Sequence, residues 1–143
     1  MKLISIECID ESVRFADPFW WRRLMYLLLQ EGDAFEIRCW REETEALRKA
    51  LLYGQLSEKD CTSFEYSVKG TWSKASIHTL LQTAPPSDNG RMTEFFTITS
   101  ALFSSEHYGK EIFLFDPAEE LLPKLTELFS PIRAYFSFGE SFS

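Results

Sequence analysis

Residues 17–32, DPFWWRRLMYLLLQEG, constrain the fold more than any other stretch. Trp20, Trp21, Leu24, Met25, Leu27 and Leu28 recur at helical spacing and form a broad apolar stripe, with Arg22, Arg23, Tyr26 and Gln30 on the wet side. Asp17 suits the N-cap, Pro18 the first helical position and Gly32 a left-handed residue after the end. A stripe this wide must be buried against another element. On both sides of it the period changes to two. KLISIECI (2–9) puts Ile4, Ile6 and Cys8 on one face, and AFEIRCW (34–40) does the same with Phe35, Ile37 and Cys39. A helix between two half-buried strands predicts a sheet covered by helices.

The alternation continues along the chain. REETEALRKALLYG (41–54) reads as a second helix, with Glu42, Glu43 and Glu45 at its positive end and Arg48 and Lys49 toward the other. CTSFEYSVKGTW (61–72) reads as a strand and SKASIHTLLQT (73–83) as a short helix capped by Ser73; APPSDNG (84–90) is a turn cluster in an exposed loop. TEFFTITSALF (93–103) and EIFLFDP (111–117) are strands, the second apolar on both faces as a central strand would be. Asp116 and Glu119 fit a capping box for a helix from Pro117 to about Phe129, which Pro123 should kink. IRAYFSFG (132–139) is a last strand. The expected fold is α/β or α+β. Residues 1–143 form a single globular domain, a mixed sheet of about six strands against about four helices. The units 34–72 and 111–139 read as right-handed βαβ crossovers.

Charge narrows the partners. Fifteen Lys and Arg stand against 22 Asp and Glu, a net charge of −7. That field repels nucleic acid and anionic membrane and attracts a basic protein. Cys8, Cys39 and Cys61 form no CxxC pair and lie near neither histidine, which argues against a disulfide framework or a zinc site; no metal and no cofactor is expected. The start, MKLISIECIDES, is too short and polar for a signal peptide, and no apolar run reaches membrane-spanning length. A cytoplasmic location is the default expectation.

No Gly-rich phosphate loop, GxSxG, HExxH, Walker or calcium-loop pattern occurs. The densest collection of reactive side chains is SSEHYGK (104–110). His107 as a base, with Glu106 or Glu111 to orient it and Ser104 or Ser105 as nucleophile, would need side chains that converge. Neighbours on an extended chain point apart, and catalytic groups are normally assembled from distant segments. The run instead reads as a hairpin loop between two apolar strands, free to touch a partner through Glu106, His107, Tyr108 and Lys110.

In size, acidity, layered α/β pattern and lack of catalytic motifs, the whole chain resembles the small acidic immunity proteins of bacteria. The resemblance is one of class, without a diagnostic motif. It implies a non-catalytic protein that neutralises a cognate toxin, with a nuclease as one such toxin, by covering a basic active-site cleft. The acidic and loop groups available for that contact are Glu42, Glu43, Glu45, Glu58, Asp60, Asp88, Glu106, His107, Tyr108 and Glu111. Two other readings stand beside it. One is an enzyme with a site assembled around a glutamate, His107 and Tyr108. The other is a structural homo-oligomer subunit joined through surplus phenylalanine, with RAYFSFGESFS as an edge strand. A monomer and a homodimer are both compatible with the composition.

Overall fold

The computed structural model describes residues 1–83 and 90–142. One sheet of eight strands organises the chain: β1 (Lys2–Cys8), β2 (Ala34–Trp40), β3 (Gln55–Leu56), β4 (Glu65–Thr71), β5 (Thr97–Ser100), β6 (Phe103–Glu106), β7 (Glu111–Phe115) and β8 (Phe136–Phe142). The order across the sheet is β3-β4-β2-β5-β6-β7-β1-β8, and every neighbouring pair is antiparallel. Among the described residues there are five α-helices, α1 (Val13–Ala16), α2 (Trp20–Leu28), α3 (Thr44–Ala50), α4 (Lys74–Gln82) and α5 (Leu121–Phe129), and two short 3-10 helices, Glu58–Asp60 and Ser130–Tyr135.

Register explains the core. The pairs Leu56↔Val68↔Ile37↔Ile98↔Ser105↔Ile112↔Ile6↔Phe138 make one row across all eight strands. Facing side chains in such a row share one side of the sheet. From Val68 to Ile6 the row is buried, and the helices lie on this side. The Trp21 indole of α2 donates to Ser105 Oγ at 3.1 Å, and Leu125 and Phe129 of α5 line one groove together with Ile4 and Ile6. The opposite side carries Leu3, Ser5, Glu7, Glu36, Arg38, Trp40, Thr97, Thr99, Glu106, Glu111, Phe113 and Phe115. Ser67 and Ser104 also face this side and are buried, and Arg38 donates to Asp60 C=O at 3.1 Å, so the 57–61 segment covers the part over β2 and β4; the other residues named are partly or fully exposed.

The expected mixed sheet is corrected by β2 and β4. Arg41 N–H donates to Phe64 C=O at 2.9 Å, so the segment containing α3 returns the chain to the end of β2 it has just left. From there β4 has to run antiparallel, with Trp40 opposite Glu65, and 34–72 is not a crossover. The unit 111–139 does connect parallel strands: β7 and β8 each run antiparallel to β1, which lies between them. The connection from β4 through α4 to β5 repeats this arrangement around β2.

Two strands and one helix exceed the expected count. TEFFTITSALF is not a single strand; the chain turns at Ala101 and Leu102, pairs Thr99 with Ser104, and continues as β6. The two-residue β3 and four-residue α1 are too short to show a period. Three punctuation marks act differently from their sequence reading. Asp17 precedes the helix by three residues, accepts from Phe19 N–H at 3.2 Å and pairs with Arg23. Gly32 takes its left-handed conformation (φ 93°) in the turn into β2. Asp116 adopts φ 48° and caps nothing, and α5 begins at Leu121, so Pro123 falls in the first turn and costs no internal hydrogen bond. Among the described residues no helix is long and apolar enough to cross a membrane.

Candidate functional site

The stretch SSEHYGK divides between strand and turn. Ser104 and Ser105 belong to β6, and the loop shrinks to residues 107–110. Ser105 is fully buried beneath Trp21. Ser104 lies 3.3 Å from Thr99 Oγ1 and donates to Glu106 at 3.2 Å. No hydrogen bond joins either serine to His107 among the described residues, so the nucleophile–base pairing considered from sequence is not assembled.

The turn itself is strained and anchored. His107, Tyr108 and Gly109 have φ of 52°, 60° and 84°, three successive residues in the left-handed region. Tertiary bonds hold the middle one. Tyr108 N–H donates to Phe96 C=O at 3.1 Å, and its own carbonyl accepts from Met92 N–H at 2.9 Å. Its phenol donates to Glu43 Oε2 at 2.9 Å, and the Arg91 guanidinium stacks 3.7 Å from its ring centroid. Gly109 closes the turn where a side chain does not fit, since a Cβ would lie 2.8 Å from Trp21 Nε1 and 2.9 Å from Met92 Cβ. Gly109→Ala is therefore expected to cost about 2–4 kcal/mol, from the left-handed backbone and the overpacking together. Its urea midpoint should fall accordingly, and an unchanged midpoint would show that the turn relaxes freely.

Glu43 faces inward. Its carboxylate takes the Tyr108 phenol, lies 3.4 Å from Arg91 and accepts from Trp40 N–H at 3.3 Å. Burial first, and then the bond to Glu43, push Tyr108 up to about 12. Burial, with Glu43 and Glu94 nearby, likewise pushes Cys39 up to about 12. Both groups stay protonated in the fold above their ordinary values of 10.0 and 9.0, so between those values and about 12 the folded state holds more protons than the unfolded chain. The stability they contribute is complete below about pH 9 and is lost as pH rises toward 12. Tyr53 and Cys8, also raised mainly by burial, add to the same decline. Urea unfolding followed through this alkaline range should lose stability less steeply in a Tyr108→Phe, Cys39→Ala double variant. An equal slope in wild type and variant would contradict this source.

On the outer side of the sheet, away from the helices, the register brings carboxylates together. Glu111 of β7 stands opposite Glu106 of β6 and Glu7 of β1, so Glu106, Glu111 and Glu7 form one row across three adjacent strands. Directly opposed side chains in such a row have Cβ atoms about 4.5–5.5 Å apart, and like charges there are destabilising. Among the described residues no Lys or Arg pairs with any of the three; His107 Nδ1 lies 3.5 Å from Glu111 Oε1. His107 also packs edge-on to Phe96, which contacts Trp40 in turn. Elsewhere on this side, charge is internally matched. Arg38 lies 3.1 Å from Glu36 and 3.2 Å from Glu65, and it donates to Asp60 C=O.

The other sequence candidates are dispersed. Glu42 and Glu58 are exposed, and Glu45 is paired with Arg48 on α3. Asp60 is held by Lys69 at 2.7 Å and Ser57 at 2.6 Å. Asp88 lies outside the described residues. Glu106, His107 and Glu111 meet at one place, joined by Glu7, which sequence reasoning passed over. The available signal was the pair of polar residues Ser5 and Glu7 on the outer side of β1, but only register sets Glu7 beside Glu111. The described residues contain no group of three or more His, Cys, Asp or Glu able to hold a metal ion. A groove of about 660 Å³ also opens between α2, α4 and α5 over Leu27, Leu81 and Leu128, rimmed by Arg22, His78 and Lys124. Comparison with protein-family models, with curated proteins and with solved structures finds no match in any of the three.

Proposed function

We propose that this chain is a non-catalytic binding protein that docks a basic protein partner on the outer face of strands β6, β7 and β1. An immunity protein that neutralises a cognate bacterial toxin by covering its cationic active site is the function this reading supports. The row Glu106–Glu111–Glu7 carries it. Three like charges in adjacent strands work against the fold, and a partner that brings cations to them relieves that cost. The net charge of −7 adds long-range attraction toward the same kind of partner. Trp40, linked to His107 through Phe96, adds to that face an aromatic group of the kind in which binding energy concentrates. A nuclease, whose cleft is built to hold phosphates, presents the matching positive surface.

The test is capture from extracts of the native host, together with co-expression with the product of the adjacent gene. The expected result is a basic protein that co-purifies at low salt, and whose activity or toxicity falls when this chain is added. Capture of no basic protein in either arm would overturn the reading.

A further inference from the structure

The two edges of the sheet are unequal. At one, β3 is two residues long; at the other, β8 is seven. An edge strand exposes unpaired backbone donors and acceptors, and natural sheets guard it with short length, proline, bulges, charged side chains or a covering helix or loop. Shortness guards β3. β8, FSFGESF, has one such guard among the described residues, Glu140: the strand contains no proline, and it pairs with β1 without a bulge from Lys2↔Phe142 to Cys8↔Phe136. Its one charge, Glu140, turns back onto Lys2 of β1 at 2.9 Å. Phe142 is 75% exposed and lies in no ring contact among the described residues.

We propose that β8 is a dimerisation edge: two copies of this chain pair their β8 strands antiparallel about a two-fold axis, joining two sheets into one. The segment is self-complementary about Gly139. A two-fold there sets Phe136 opposite Phe142 of the other copy, and the reciprocal pair follows by symmetry. Ser137 then meets Ser141, and Phe138 meets Glu140. Phe142 gains an aromatic cross-strand neighbour on the helix-covered side, the type of pair that stabilises a sheet. Gly139 belongs at the axis because the Ser5 hydroxyl of β1 already lies 2.6 Å from where its Cβ would be, leaving the outer side open. Charge favours this edge for a second copy. Over most of the surface an acidic chain repels its own kind, but here Glu140 is matched by Lys2 and Arg133 lies over the Phe138 ring.

Sedimentation velocity from micromolar to millimolar protein, with amide exchange at both ends of the range, tests the assignment. The expected mass at high concentration is twice 16.7 kDa, with the 136–142 amides gaining protection as the dimer forms. Phe142→Lys alters an exposed side chain and should raise the dimer dissociation constant at least tenfold, about 1.4 kcal/mol. Ser141→Arg, at another exposed position, should do the same. A 16.7 kDa species throughout, a dimer indifferent to both substitutions, or β8 amides whose exchange ignores concentration would each overturn the proposal.

Discussion

Trp20→Ala is expected to destabilise the fold by about 3–5 kcal/mol, a large part of the ~5–15 kcal/mol that holds a domain of ordinary size. Trp20 is wholly buried and joins three elements. Its ring lies edge-on to Phe136 of β8 at 4.8 Å and tilted against Phe129 of α5 at 6.1 Å. Alanine would leave a cavity between α2, α5 and the sheet that rigid aromatic neighbours cannot fill. The indole N–H has no hydrogen-bond partner among the described residues. The loss is therefore one of volume and ring contact, and Trp20→Phe should restore most of it. The adjacent tryptophan behaves differently. Trp21→Phe removes the donor to Ser105 and strands a buried hydroxyl, at a cost of about 1–3 kcal/mol even though the ring is kept. Urea midpoints of the three variants check the ranking. A Trp20→Phe variant as damaged as Trp20→Ala would show that packing is not the cause.

Neutralising the acidic row should move stability and binding in opposite directions. Changing Glu7, Glu106 and Glu111 to Gln removes the repulsion of two facing pairs, each worth about 0.2–1 kcal/mol, so the melting temperature should rise. The same change removes the charge offered to a basic partner, and capture should fail. Such a trade marks residues kept for function against the interest of the fold. A structural role predicts the reverse, a triple variant less stable than wild type. Changing Glu43, by contrast, should cost stability, because Tyr108, Arg91 and the Trp40 amide all lean on it.

The layered architecture was legible because it rests on local periods. The stripe of α2 and the alternation of β1 and β2 both appear as read, with Phe35, Ile37 and Cys39 buried together. Ser73 caps α4 through a reciprocal bond with Ser76. Sheet order was not legible, since pairing depends on where each connection returns the chain. For that reason an antiparallel β4 and a split strand at Ala101–Leu102 stayed hidden. The candidate site suffered from the same gap. Glu42, Glu43 and Glu45 are consecutive or nearly so and looked like a patch, yet Glu43 turns inward and Glu45 pairs with Arg48. Glu7 and Glu111 are far apart in sequence and become neighbours only by register.

The most direct test of the docking face is the association rate of the captured basic partner, measured at low and at physiological salt for wild type and for the triple Gln variant. Attraction by the acidic row predicts fast wild-type association that slows steeply as salt screens it, over a Debye length of about 8 Å at physiological ionic strength. The variant should be slow even at low salt. A variant that associates as fast as wild type, with the same salt dependence, would contradict the assignment of that face.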